Sequence, residues 1–127
     1  MVYPGPSIKR GRATVRDERL YLIHIVECAT RIQQYTCEGK DAFMRDGKTQ
    51  DAVLRNLQIL AESTQRIPDN MKSAHPEVEW SKIAGLRNIL VHDYLGINLI
   101  RIWEILQHGL PELKNQVASI LKALGEP

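Results

Sequence analysis

QDAVLRNLQILAESTQRI, residues 50–67, decides the fold class. Val53, Leu57, Leu60 and Ile67 recur at steps of three, four and seven, the period that gathers side chains on one face of an α-helix. Ala52 and Ala61 leave room for a second helix to approach. Thr49 stands before the run as a candidate N-cap, and Asp51 suits the positive end of the helix dipole. Pro68 cannot continue the helix and stops it. One face of this helix is apolar and must be buried, so other helices have to cover it.

The flanking sequence offers such helices. Upstream, "DAFMRDG" (41–47) reads as a short turn-like or helical link. Before it, a long pattern opens at Asp17 and runs through Leu20, Ile23, Val26 or Cys28, Ile32 and Tyr35. "EGK" (38–40) ends that pattern, with Gly39 suited to the helix C-terminus. Downstream, "DNMKSAHPEVEW" (69–80) is a connector with room for one helical turn, extended around Pro76. A third helix opens at Trp80 or Ser81, carries Ile83, Leu86 and Leu90 as its apolar line, and is broken by Gly96. Asn98 can cap a fourth, "LIRIWEILQHG" (99–109). Pro111 fits the first turn of a fifth, "PELKNQVASILKAL" (111–124), which Gly125 ends. No alternating strand pattern and no internal repeat is present. The expectation is an all-α, up-and-down bundle of about five helices with short connections.

A chain of 127 residues fits one domain. The single Phe, in an apolar set dominated by Leu and Ile, favours helices over sheets. The net charge of +2 is unevenly placed. Residues 1–16 carry Lys9, Arg10, Arg12 and Arg16 and no acid, which leaves 13 basic against 15 acidic residues, or −2, for the rest. Nucleic-acid contact by the body must therefore be local rather than spread over a broad basic surface. Residues 1–15, with two prolines and two glycines, are expected to be a flexible basic leader, with a nucleic-acid arm as the other reading; residues 16–127 form the helical domain. Cys28 and Cys37 form neither a CxxC pair nor a zinc pattern and suit a reducing compartment. The start lacks the apolar stretch of a signal peptide, and no run is long enough to span a membrane. The expected location is the cytoplasm, and no metal is expected.

"RNILVHDY" (87–94) is the stretch with chemistry in it. Arg87 and Tyr94 are seven apart and share a helix face, whereas His92 lies about 140° away from Arg87 at 3.6 residues per turn. The three converge if the helix bends near Tyr94, with Gly96 close behind, or if a second copy of the helix contributes. Arginine offers a fork of donors that matches a phosphate and stabilises charge on a phosphorane. Histidine titrates near neutrality and can move protons. The 2′-hydroxyl of RNA is a built-in nucleophile, so a base, an acid and a cation suffice to cleave the chain without metal, leaving a 2′,3′-cyclic phosphate and a 5′-hydroxyl. The motif holds one histidine, and a dimer supplies two. Taken singly, a helical His, a surface Arg and a Tyr at a helix end are ordinary structural residues.

In that order and spacing, Arg, four residues, His, one residue, Tyr, the motif resembles the signature of HEPN-domain ribonucleases. The whole chain from about Arg16 to Leu124 resembles the HepT toxins of the HepT–MNT toxin–antitoxin systems. The likeness is carried by "RDERLYLIHIVECATRIQQYT", "TQDAVLRNLQILAEST", "HPEVEWSKIAGLRNILVHDYLGIN" and "IWEILQHGLPEL". The resemblance implies a homodimeric helical bundle with RNA as substrate and Arg87 and His92 as the catalytic pair at the dimer interface. It implies supporting positions at Asn88 and Asp93. It further implies a partner antitoxin, a minimal nucleotidyltransferase that uses ATP and Mg²⁺ to transfer AMP to Tyr94. Such a bulky anionic group would fill the site and repel RNA. Arg55 and Glu62, seven apart on the second helix, share a face and could line the groove. The sequence departs from the family pattern in its leader, which the likeness does not cover. Asp93 also adds a negative charge beside the site. The alternative function is a non-catalytic helical scaffold for the nucleotidyltransferase.

Overall fold

The computed structural model describes residues 15–92 and 96–125, with side chains over 18–90 and 96–125. Every element among the described residues is helical: α1 (Val15–Tyr35), α2 (Lys40–Arg45), α3 (Gly47–Gln65), α4 (Asp69–Ala74), α5 (Trp80–His92), α6 (Leu99–Glu104) and α7 (Leu110–Leu124). The leader lies outside the described residues except for Val15, which already belongs to α1.

The long helical runs are α1, α3, α5 and the stretch from α6 to α7, with α2 between the first two and α4 between the second and third. α1 packs against both α3 and α7, and α5 packs against α3. Two hydrogen bonds fix α7 antiparallel to α1: Arg19 donates to the Leu124 carbonyl at 3.3 Å, and Lys114 donates to Gln33 Oε1 at 2.9 Å. The core is aliphatic, with Leu22, Ile25, Ala29 and Ile32 from α1 meeting Val53, Leu57, Leu60 and Ala61 from α3. Ile83 and Leu90 close it from α5, and Leu113, Val117 and Ile120 from α7. Phe43 of α2 plugs one end against Trp103, ring centroids 5.4 Å apart. Two buried polar side chains on α3 bond back to their own helix: Asn56 Nδ2 donates to the Ala52 carbonyl and the Thr64 hydroxyl to that of Leu60, both at 2.9 Å.

The α3 stripe is as expected, with Val53, Leu57, Leu60 and Ile67 all buried. The α1 stripe is as expected at Cys28 and Ile32 and differs elsewhere. Leu20 and Tyr35 are 49% and 44% exposed, while Leu22, Ile25, Ala29 and Ile32 are buried together with Cys28. α1 carries apolar residues on more than half its circumference, and the small Ala29 lets α1 approach its neighbours on that side. The expected N-cap of α3 is also displaced. Asp46, not Thr49, caps it, accepting from the Lys48 N–H at 3.0 Å, while the Thr49 hydroxyl donates to its other carboxylate oxygen at 2.7 Å. The Thr49 bond holds the Asp46 carboxyl below its ordinary pKa. Gly39, expected at the C-terminal cap of the first helix, lies four residues past its end and instead stands immediately before α2, at φ +98°, where a side chain would be strained.

The fourth and fifth helices were expected to be separate. Instead α6 and α7 run on through a π-turn, Ile105–Gly109, in which the Leu110 N–H donates to the Ile105 carbonyl. Pro111 has no N–H to donate, and its ring crowds the carbonyl four residues earlier. One wider turn just before it makes room without ending the helix.

Candidate functional site

The site helix is α5, and its start is pinned from two sides. The Trp80 indole donates to the Lys72 and His75 carbonyls at 3.2 and 3.0 Å, tying α5 to the end of α4. Val78 is buried, and Gln116 of α7 donates to the Glu77 carbonyl at 2.9 Å. With its start held, the next turns of α5 lie on α3 through Ile83 and Leu90.

Arg87 falls between those two, four residues after Ile83 and three before Leu90, so it occupies the core-facing stripe of the helix. Its side chain is half-buried, and its Nε is sealed from solvent with no hydrogen-bond partner. A buried guanidinium donor left unpartnered is unfavourable for folding, and most buried polar groups avoid that state. Asn88, one residue on, is exposed. His92 is the last helical residue of α5. Its side chain, and the whole of Asp93 and Tyr94, lie outside the described residues. The structure therefore places Arg87, Asn88 and the backbone of His92 on one regular helix, with Arg87 and His92 about 140° apart around its axis.

Arg55 and Glu62 do share a face. Both are exposed, and both line a shallow groove of about 350 Å³ with Ile59 and Ser63 of α3, Arg66 just past its end, and Tyr21 and His24 of α1. No α5 residue lines that groove, so within one chain the pair stands apart from Arg87. Arg66 and His24 were not singled out from the sequence, although Arg55, Ile59, Glu62 and Arg66 recur at helical steps. A larger open groove, about 620 Å³, separates α5 from the α6–α7 run. Its floor includes Leu57, Leu60, Leu86 and Ile89, and Lys82, Arg101 and His108 stand on its edges. Among the described residues no three His, Cys, Asp or Glu side chains are grouped to hold a metal ion. No described helix is long and apolar enough to cross a membrane.

The chain is thus a helical bundle with an arginine whose Nε is buried and unpartnered on the helix that ends at His92. The family model described as "Ribonuclease HepT-like" matches residues 25–120, and the chain belongs to that family. It is 34% identical over 108 residues to a protein of Thermococcus cleftensis named "Probable ribonuclease HepT", covering 84% of this chain and 98% of that one. It is 30% identical to the "mRNA nuclease HepT" of Shewanella oneidensis, over 78% of this chain and 91% of the relative. A longer relative from Methanocaldococcus jannaschii, whose name joins a gamma-glutamylcyclotransferase to a candidate RNase, is 31% identical over 110 residues. The chain spans half of that protein's length. No solved structure matches.

Proposed function

We propose that this protein is a metal-independent endoribonuclease, the toxin of a toxin–antitoxin pair, acting as a homodimer in the cytoplasm. The observation that carries the reading is Arg87: a half-buried guanidinium with an unpartnered Nε, five residues before His92 on α5, in a chain of the HepT-like ribonuclease family. The names of its relatives, a ribonuclease and an mRNA nuclease, support RNA as the substrate.

In this mechanism Arg87 binds the scissile phosphate and stabilises the charge that builds on its oxygens. A His92 imidazole takes the proton from the 2′-hydroxyl as that oxygen attacks phosphorus. The 5′-oxygen leaves and takes a proton from the second imidazole that a dimer supplies. The products are a 2′,3′-cyclic phosphate and a 5′-hydroxyl, and no water is consumed. Asn88 and Asp93 support the site. Arg55 and Glu62 would contact RNA only away from the scissile bond, since their groove is built by α1 and α3. A partner nucleotidyltransferase, with ATP and Mg²⁺, silences the toxin: the Tyr94 hydroxyl attacks the α-phosphorus of ATP, pyrophosphate leaves, and AMP remains on the ring.

Purified protein should cleave single-stranded RNA in EDTA and leave cyclic-phosphate ends, while Arg87→Ala and His92→Ala should not cleave. The charge of the body, −2 over residues 17–127, favours a second reading, a scaffold for the nucleotidyltransferase. Absence of cleavage by a wild-type chain whose Tyr94 carries no AMP, read by mass spectrometry, would select the scaffold.

A further inference from the structure

The groove between α1 and α3 takes no part in the chemistry assigned to α5, yet it gathers groups that suit an extended polyanion. Arg55 and Glu62 of α3, and Arg66 just past its end, are exposed along it, while Tyr21 and His24 of α1 line it half-buried. Arg55 and Arg66 are eleven residues apart, close to three helical turns, so they share a face and are separated by about 16 Å of helix rise. Glu62 precedes Arg66 by four residues, a spacing at which helices form ion pairs. Among the described residues, however, the ion pairs are His75 with Glu77 and Lys82 with Glu79, so neither arginine is joined to a carboxylate. Two exposed cations without such partners add little to the stability of the fold.

We propose that this groove is a second RNA-binding surface, which holds single-stranded RNA to one side of the scissile bond. This rests on the ribonuclease reading above and extends it from the reacting phosphate to its neighbours. Arg55 and Arg66 each offer a fork of donors that matches a backbone phosphate. The Tyr21 ring offers a surface for stacking a base. Glu62, between the two arginines, accepts from an amino group such as that of cytosine. The body carries −2 over residues 17–127, so RNA has to be held by cations at chosen places, and this groove holds two of them together. The basic leader adjoins it in the chain: α1 begins at Val15, six residues and about 9 Å of rise before Tyr21, with Lys9, Arg10 and Arg12 just upstream and Arg16 in its first turn. α3 packs against both α1 and α5, and packed helices lie about 10 Å apart. A strand leaving the α5 site therefore reaches the groove by crossing one helix.

Binding is measured by fluorescence anisotropy, over a range of salt, on a 2′-O-methyl oligoribonucleotide of about 20 nucleotides, which cannot be cut because its 2′-oxygens are blocked. Wild type is compared with Arg55→Gln/Arg66→Gln, with Tyr21→Leu, and with Lys40→Gln/Lys48→Gln, which removes the same charge from exposed positions at the starts of α2 and α3. The arginine pair should weaken binding about ten-fold and reduce the salt slope by about 1.4, the share of two phosphates on a single strand. Tyr21→Leu should weaken binding about ten-fold with the slope unchanged. The lysine pair should bind as wild type does. Helical circular dichroism checks each fold, and Arg66→Gln alone, beyond the helix end, carries the test if the pair unfolds, with the slope reduced by about 0.7. Wild-type affinity in the arginine variants, the result a groove made for a protein partner would give, overturns the inference, as does an equal loss in the lysine pair. Either outcome leaves the ribonuclease reading standing if wild type still cleaves unmodified RNA. A wild type that binds through the groove and cleaves nothing keeps the inference and removes the ribonuclease. A wild type that does not bind the oligonucleotide overturns the inference.

Discussion

Arg87 occupies a position that packing alone would give to an aliphatic side chain. Ile83 and Leu90, one turn either side on the same stripe, are both buried, and the Arg87 Nε between them has no partner. A buried unpaired donor costs on the order of 1–3 kcal/mol, and an apolar side chain of similar length removes that cost. Arg87→Met should therefore raise stability by about 1 kcal/mol in urea unfolding, while abolishing cleavage. A variant that is less stable than wild type would show that the guanidinium serves the fold. The cysteines give a second residue-scale prediction. Cys28 is buried, and burial pushes its thiol pKa up, despite Arg31 nearby, whereas Cys37 is exposed. Iodoacetamide on the folded protein at pH 7.5 should label Cys37 and spare Cys28, the thiolate being the reactive form. Peptide mapping would read this directly, and equal labelling would contradict the packing of α1.

At the scale of elements, the start of α3 depends on Asp46, whose carboxylate accepts from the Lys48 N–H and the Thr49 hydroxyl. The Thr49 bond above all, with that from Lys48, favours the charged form, so the folded-state pKa lies below the ordinary 3.8 of an aspartate. A depressed carboxyl contributes stability above its unfolded pKa and loses it as pH falls through the folded value. Asp46→Ala should lower the melting temperature at pH 7, and the gap to wild type should narrow below about pH 3.8. A gap unchanged at pH 2.5 would mean that the charge contributes nothing to the cap. This cap also shows what the sequence made legible and what it did not. Both Asp46 and Thr49 are residue types that cap helices, and sequence alone does not say which one accepts the orphan N–H and which one donates to its neighbour. The α3 stripe was readable because Val53, Leu57, Leu60 and Ile67 crowd one side, with Ile59 the large apolar residue left beside Arg55 and Glu62. The α1 stripe was not, because apolar residues at Leu20, Ile23 and Tyr35 compete with those that are buried. Pro111 looked like a boundary, and its cost was met by one wide turn. Within the site, the order of Arg87 and His92 on one helix was legible, but the sealed Nε of Arg87 depends on how α5 lies on α3. The placing of Arg55 and Glu62 on the α1 side of α3 likewise depends on packing between helices, not on spacing along one.

At the scale of the whole molecule, charge and symmetry constrain the chemistry together. Residues 17–127 carry −2, so RNA must be held by a few placed cations rather than by a general field. One motif supplies one arginine and one histidine, whereas cleavage by the 2′-hydroxyl uses one group to remove a proton and another to deliver one. In the proposed homodimer a two-fold axis would supply the second imidazole without a second motif in the sequence. If both His92 side chains act on one phosphate, a single His92→Ala chain disables the dimer it enters. Equal amounts of wild type and His92→Ala, unfolded and refolded together, should then give about a quarter of the activity of the same total of wild type, because only wild-type pairs are intact. If each site uses one histidine, half the activity should remain, whichever copy provides the arginine. A titration across mixing ratios separates the two, as activity follows the square of the wild-type fraction in the first case and the fraction itself in the second. A linear result would place both proton transfers on one imidazole.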